Sequence, residues 1–345
     1  MKRKLALIGF GTVGQGLCEI LIDKKRYLKR FHDFDWEVVA ICDTLNGSVL
    51  SQESLDVKKL LHLVKNNISL EEIDAKGKLK KGLDAFQTIR ESNADIICEL
   101  TYTNIKTGQP AIDHCITALE LGKHVVTSNK GPAALRYNEL NELARQKGER
   151  FLIEGTVMSG TPVLNLVRNE LVGNKISAMQ GILNGTTNFI LTNMESGHSY
   201  KSILKEAQEW GYAEADPTAD VEGLDTLAKI TILANVIFGE NLKPDQIPCK
   251  GITQITHEDI KQAQQEKKRW KLIGEIIKNK KGIIASVKPK KVDLSHPLAS
   301  VMGVANAITF TTDLLGDVTI MGAGAGRKET GFSILSDILE IYKNF

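Results

Sequence analysis

The feature that most restricts the fold of this chain lies within its first twenty-one residues. Leu5–Ile8 is a short apolar run of strand type, and Gly9-Phe10-Gly11-Thr12-Val13-Gly14 follows it directly. Helical periodicity then takes over through Val13, Leu17, Ile20 and Leu21. Strand, glycine turn and helix in that order open an α/β domain of the kind that binds a dinucleotide. In such a unit Gly9 permits the turn, Gly11 lets a pyrophosphate approach the backbone, and Gly14 lets helix and strand pack closely. Thr12 and Val13 begin the helix whose N-terminus receives the phosphates. A glycine turn with a purely structural role is the alternative, and its placement between strand and helix speaks against it.

Further units of the same type follow. Trp36–Cys42 reads as a second strand ending in Asp43, an acid placed to take the ribose hydroxyls of NAD. The spacing from the glycine turn is longer than usual because the charged run Asp23–Asp35 lengthens the crossover. Lys58 and Lys59 could instead meet the 2′-phosphate of NADP, so both cofactors stay open. Ala94–Leu100 is a third strand, carrying Thr101, Thr103 and Asn104 at its carboxyl end. A helix over Ala111–Leu121 leads to a strand at His124–Thr127 and then to Ser128-Asn129-Lys130. Ligands bind at the carboxyl ends of strands in such sheets, which makes Thr101, Thr103, Ser128 and Lys130 candidates for the cofactor cleft.

From Phe151 the texture changes. Glu154-Gly-Thr-Val157-Met-Ser159-Gly-Thr161-Pro is neither regular helix nor regular strand. It can present hard oxygen ligands to a cation, although a loop with one exposed glutamate is the plainer reading. Gly181-Ile-Leu-Asn184-Gly185-Thr186-Thr-Asn mixes hairpin-turn chemistry with a capped helix N-terminus suited to an anion. Four acids, Glu214, Asp216, Asp220 and Glu222, crowd the loop after Gly211. A helix then sets Asp225 and Lys229 on one face, four residues apart. Its other residues, Leu224, Leu227, Ile230, Ile232, Leu233 and Val236, are apolar on almost every side, so the charged pair belongs to a buried helix and lines a site. Carboxylates there can hold an ammonium group, and the lysine can move a proton or polarise a carbonyl.

Composition excludes several classes. The length of 345 residues suits two domains, and the net charge of +2 gives no field for nucleic acid or an anionic membrane. Basic clusters at Lys24–Arg26, Lys76–Lys81 and Lys267–Lys271 read as solvated faces. Five widely spaced cysteines without a CxxC pattern fit reduced, mostly buried thiols. Seven histidines show no zinc-ligand spacing. No segment approaches the ~18 apolar residues of a membrane span, and the N-terminus reads as a strand, so a cytoplasmic protein is expected. From residue 257 the chain reads as a charged helix to Lys271, strands at Ile283–Val292 and Ala307–Leu315, and a glycine-rich loop Met321–Thr330. A final helix at Gly331–Tyr342 returns to the nucleotide domain.

The runs GFGTVG (9–14), TSNKGP (127–132), EGTVMSGTP (154–162), GILNGTTNFIL (181–191), GYAEADPTADVEGLDTLAK (211–229) and GAGAG…T (322–330) together resemble homoserine dehydrogenase, in the family's order over essentially the whole chain. The resemblance implies a Rossmann-type domain at 1–153, completed by about 318–345, and a mixed α+β substrate-binding and dimerisation domain at 154–317. It implies reduction of L-aspartate 4-semialdehyde to L-homoserine with NAD or NADP, on the route to threonine, methionine and isoleucine. Lys229 and Lys130 would be the catalytic lysines, with Asp225. Glu214 and Asp225 would hold the substrate, and Tyr212, Gly181, Asn184, Gly185 and Thr186 would shape its pocket. Gly324, Gly326 and Thr330 would close on the cofactor. Glu154 and the backbone of Val157, Ser159 and Thr161 would match a site for Na+ or K+. Gly155 and Ser159 depart from the family's usual residues there, and Cys42 stands where many members carry an arginine, which favours NAD. No regulatory ACT domain is expected, and a homodimer is. A different NAD(P) dehydrogenase or a non-catalytic dinucleotide sensor are the alternatives, and the latter would not need the lysines and carboxylates retained here.

Overall fold

Short apolar runs alternating with amphipathic stretches fold into layered α/β structure because each strand buries both faces only beneath covering helices. The computed structural model describes residues 2–73 and 78–343, so Lys76 of the second basic cluster lies outside the described residues. The chain divides into two units, Met1–Gly160 with Gly326–Phe345, and Thr161–Ala325. These divisions fall later than the 153/154 and 317/318 expected from sequence. The first shifts because the Glu154 N–H donates to Asp337 Oδ2 (2.9 Å) and Ser159 Oγ pairs with Thr330 Oγ1 (2.7 Å), which ties 154–160 to the C-terminal helix. The second shifts because a strand up to Ala323 belongs to the second sheet.

The first unit runs β1 (Arg3–Ile8), α1 (Thr12–Asp23), α2 (Lys25–His32), β2 (Trp36–Asp43), β3 (Gly47–Leu50), α3 (Val57–Lys65), β4 (Lys80–Lys81), α4 (Ala85–Glu91), β5 (Ile96–Glu99), α5 (Ala111–Glu120), β6 (His124–Thr127), α6 (Lys130–Leu135), α7 (Tyr137–Lys147) and β7 (Phe151–Leu152). The sheet order is β4-β3-β2-β1-β5-β6-β7. β2, β1, β5, β6 and β7 are parallel, and β3 and β4 extend the sheet antiparallel. Strand order reverses at β1 and β5, and the crevice above that point is where such sheets bind ligands. The long spacing before Asp43 is explained by α2, a second helix in the first crossover.

The second unit comprises β8 (Ile176–Ile182), α8 (Gly185–Met194), α9 (Tyr200–Glu209), α10 (Thr218–Val221), α11 (Leu224–Phe238), α12 (His257–Gln265), β9 (Lys268–Asn279), β10 (Gly282–Asp293), β11 (Ala305–Thr312) and β12 (Gly316–Ala323). Its sheet is wholly antiparallel, in order β10-β9-β8-β11-β12. The expected helix to Lys271 stops at Gln265. Lys267 takes a left-handed turn (φ 57°), and β9 begins one residue later. The glycine-rich stretch from Met321 is partly strand for a similar reason: β12 pairs residue by residue with β11.

The chain then returns to the first unit as α13 (Arg327–Lys343), which lies against α1. A Cβ on Gly16 would overlap the Arg327 carbonyl, and one on Gly331 would lie 2.6 Å from the Leu17 nitrogen. Glycine at both positions is what lets the helices touch. Ile334, Leu335, Ile338 and Ile341 join the core built by Leu5, Leu17 and Leu21. No described helix is long and apolar enough to cross a membrane.

Candidate active site

In the first unit β1 delivers the chain to Gly9, whose φ of 103° only glycine adopts without strain and whose missing Cβ leaves room for the Leu100 carbonyl of the neighbouring strand. A Cβ on Gly14 would stand 2.6 Å from the Gly9 carbonyl, so the third glycine lets α1 approach the turn. A Cβ on Gly11 would meet nothing within 4 Å. That open side of the turn, beside the first amides of α1 at Thr12 and Val13, fits the pyrophosphate of a dinucleotide.

Asp43 sits at the end of β2 as expected, and its carboxylate is heavily engaged. Oδ2 accepts from the Phe10 N–H inside the glycine turn (2.7 Å). Oδ1 accepts from the Leu45 N–H (3.0 Å), the Asn46 N–H (2.9 Å) and Asn46 Nδ2 (2.8 Å). A carboxylate offers about four acceptor directions, so this arrangement leaves room on Oδ2 alone. Lys58 lies elsewhere. It lines a cavity of about 590 Å³ with Trp36, Lys25, Arg26 and Asp56. Trp36 and Asp43 are the two ends of β2, seven residues or roughly 23 Å apart at the strand rise. The proposed approach of Lys58 to a 2′-phosphate beside Asp43 is therefore not supported by its position, and Lys59 is an exposed residue on the same first turn of α3.

The loops after β5 and β6 are joined through a buried acid that sequence reading did not single out. Glu99 is fully buried and bonds to the Thr101 hydroxyl, and Thr127 Oγ1 donates to its backbone carbonyl (2.7 Å). Asn129 caps α6 through the Gly131 N–H (2.9 Å) and its Nδ2 donates to the carbonyls of Thr101 (3.2 Å) and Tyr102 (3.1 Å). These bonds set Thr101 and Ser128 at the strand ends and Lys130 at the first position of α6, while Thr103 is exposed. Ser128 also packs on Gly155, where a Cβ would lie 2.8 Å from its own, which accounts for glycine at that position. Glu154 is buried, at 2 % exposure, rather than the exposed loop acid of the plainer reading. Val157 is buried, and Met158 and Ser159 are consecutive left-handed residues (φ 55° and 53°). Gly326 (φ 141°) leads into α13, where Thr330 meets Ser159. Among the described residues no cluster of three His, Cys, Asp or Glu side chains could hold a metal.

In the second unit, Asn184 is a helix N-cap rather than a hairpin residue, its Oδ1 accepting from the Thr187 N–H (2.8 Å). Its Nδ2 donates to Asp220 Oδ1 (2.6 Å) and Asp225 Oδ2 (3.1 Å). Lys229, only 5 % exposed, donates from Nζ to Asp225 Oδ2 (2.7 Å) and to the Leu183 carbonyl (2.5 Å). Burial, followed by the neighbouring Asp225 charge, pushes the Asp220 carboxyl above its usual range against the opposing Asn184 hydrogen bond. Asp220 was one of four acids in the loop, and its partial burial on α10 and its contact with Asn184 separate it from Asp216, which is exposed and bonds locally to Thr218. Glu214 is exposed on the same loop. The Tyr212 carbonyl accepts from Thr186 Oγ1 (2.6 Å), and its ring packs edge-on against Phe189. Gly181 is buried in β8, opposite Ile308. Thr161 and Gly324 belong to this unit, the Thr161 hydroxyl donating to the Ala323 carbonyl (3.1 Å).

Two family models divide the chain between them. Residues 9–154 match the homoserine dehydrogenase NAD-binding domain, and residues 162–339 match the homoserine dehydrogenase domain. The chain belongs to the homoserine dehydrogenase family. It is 45 % identical to the NAD(+)-dependent homoserine dehydrogenase of Pseudomonas canavaninivorans, over 99 % of this chain and 96 % of that protein. A putative homoserine dehydrogenase from Archaeoglobus fulgidus superposes with a TM-score of 0.87 at 36 % identity, covering 99 % of both chains. A hyperthermophilic archaeal homoserine dehydrogenase mutant in complex with NADPH superposes with a TM-score of 0.85 at 30 % identity, covering 100 % of this chain and 99 % of that one. Membership makes the chain an NAD(P)-dependent oxidoreductase of amino-acid biosynthesis that interconverts L-homoserine and L-aspartate 4-semialdehyde. A dinucleotide-binding domain and a homoserine dehydrogenase domain leave no place for the non-catalytic sensor.

Proposed function

We propose that the Asn184–Asp220–Asp225–Lys229 constellation carries the chemistry of this homoserine dehydrogenase. The observation behind it is the buried ammonium of Lys229 held between Asp225 Oδ2 and the Leu183 carbonyl. When bound, the reduced nicotinamide supplies the hydride that converts the aldehyde to the alcohol. The oxygen of that aldehyde gains negative charge as it is reduced, and a preorganised ammonium stabilises it and can hand it a proton. Asp225 orients Lys229, and Asn184 holds Asp225 and Asp220 in place. Lys130 is the second lysine of the reading, carried by the cofactor-binding unit. Glu214 takes the substrate's ammonium group, with Tyr212 and Gly181 shaping the pocket. The first amides of α8, at Gly185 and Thr186, suit its carboxylate.

The cofactor reading leans to NAD. A 2′-phosphate would bring a charge of about −2 toward Asp43, a repulsion of ~1–2 kcal/mol in a partly solvated site. Thr101, Thr103 and Ser128 at the strand ends, and Gly324, Gly326 and Thr330 near the chain's end, complete the proposed cofactor set. Glu154 and the backbone of Val157, Ser159 and Thr161 are proposed to hold Na+ or K+, a reading supported by the burial of Glu154. A cytoplasmic homodimer is also proposed, supported by the exposed edge strand β12 with Met321 and the neighbouring Leu314 and Leu315. Light scattering giving the monomer mass at working concentration would end the dimer reading. Initial rates with homoserine and each cofactor test the rest, and a Lys229→Ala variant that keeps wild-type turnover would remove Lys229 from the mechanism.

A further inference from the structure

Asn306 is the residue whose environment the known chemistry leaves unexplained. It stands near the start of β11, opposite Gly322 of β12, and has no exposure at all. Neither Nδ2 nor Oδ1 of its carboxamide has a hydrogen-bond partner among the described residues. The amide lies directly over Gly324, where any Cβ would overlap all three of its end atoms, and a Cβ on Gly185 would lie 3.6 Å from its Oδ1. It is therefore lodged between a backbone-only turn and the N-terminus of α8, the ten-residue helix capped by Asn184. A buried amide without partners destabilises the molecule that carries it. Such a group calls for an explanation, and partners gained in another state of the molecule are one.

We propose that Asn306 is a further substrate-binding residue, whose Nδ2 donates to the α-carboxylate of the amino-acid substrate alongside the first amides of α8. The anion is chosen by the chemistry of the place. The carboxamide of Asn306 faces Gly185 at the start of α8 with its Oδ1 on that side. A half-turn about its last torsion puts the donor Nδ2 there beside the first amides of the helix, and the carboxylate is the one anionic group of homoserine. Gly324, which lies over the amide, contributes only backbone there, and binding of the substrate at Asn306 requires that backbone to shift. This rests on the proposed placement of the substrate against Asn184, Gly185 and Thr186, and it adds a ligand that those residues do not supply.

The test is Asn306→Ala in the full-length protein, read three ways. A hydrogen bond to a charged group is worth about tenfold to hundredfold in affinity, so KM for homoserine rises by that factor while KM for the dinucleotide stays within twofold. The ligand-free variant melts no lower than wild type, because it has lost a buried polar group that bonds to nothing there. Inhibition by 3-aminopropan-1-ol, which is homoserine without its carboxylate, is the same in variant and wild type. A homoserine KM within twofold of wild type overturns the proposal whatever the melting temperature. So does an equal loss of affinity for homoserine and 3-aminopropan-1-ol, which would mark a general collapse of the pocket. Glu214→Gln in the same assays reports on the underlying substrate placement separately: an unchanged homoserine KM there removes the acidic loop from the site without deciding the role of Asn306.

Discussion

Lys229 Nζ lies 2.7 Å from Asp225 Oδ2, one helical turn earlier in α11, and Asn184 Nδ2 approaches the same oxygen at 3.1 Å. One carboxylate oxygen thus serves both the ammonium and the helix cap. Losing the charge at Asp225 should disturb the orientation of Lys229 as well as the substrate. Asp225→Asn is expected to lower kcat by about a hundredfold, a size typical of lost acid–base positioning, with a smaller rise in homoserine KM. A change confined to KM would reduce Asp225 to a binding group.

Asp220 shares Asn184 with Asp225, and burial raises its pKa. A carboxyl with a raised folded-state pKa binds its proton at higher pH than the unfolded chain does. It therefore favours the folded state at acid pH and costs stability once pH rises through the folded value. Asp220→Asn is expected to raise the melting temperature relative to wild type near neutral pH, with the gain vanishing in acid. Melting curves from acid to neutral pH check this, and a variant less stable at every pH would show that the charged form of Asp220 is the stabilising one.

Asp43 accepts the Phe10 N–H, so its removal should loosen the glycine turn and not only the ribose contact. Asp43→Ala is expected to raise KM for NAD and NADP together, by about tenfold, and to shift the preference between them toward NADP. Steady-state rates with both cofactors decide it. A neutral substitution in an enzyme that prefers NADP tenfold would refute the assigned role.

Lys271 is fully buried, with Nζ donating to Asn188 Oδ1 (2.8 Å) and the Val301 carbonyl (2.5 Å), and burial lowers its pKa to about 8. Between that value and the ordinary 10.5 the unfolded chain binds the extra proton, so stability rises with pH across this window. Wild type is expected to gain up to about 3 kcal/mol relative to Lys271→Met between pH 8 and 10.5 in denaturant titrations. A constant difference would mean that the amine is charged throughout.

Much of this was legible in the sequence because local patterns coincide with the folded contacts. Gly9, Gly11 and Gly14 carry their geometric reasons in their spacing, and the apolar helix around Asp225 and Lys229 announced a buried lysine, beside which Asp225 is only partly buried. The rest depended on partners distant in the chain. Nothing local in Glu99 or Asp220 reveals their bonds to Thr127 and Asn184, 28 and 36 positions away, and nothing local in Asn306 reveals its burial against Gly324 and Gly185. The strand β9 was hidden because its charged residues, Lys268, Arg269 and Lys271, continued the composition of α12. Only the left-handed Lys267 separates the two. Lys58 looked close to Asp43 because sequence distance ignores the length of β2, which the cavity at Trp36 makes plain.

The central claim is that Lys229 performs the proton chemistry of homoserine oxidation and aldehyde reduction. The most direct measurement is the steady-state appearance of reduced nicotinamide from homoserine by wild type and Lys229→Ala, with dinucleotide affinity determined in parallel. The account predicts active wild type, a loss of kcat of about a hundredfold or more in the variant, and a cofactor affinity unchanged within a few-fold. A variant that turns over homoserine within a few-fold of wild type would contradict it.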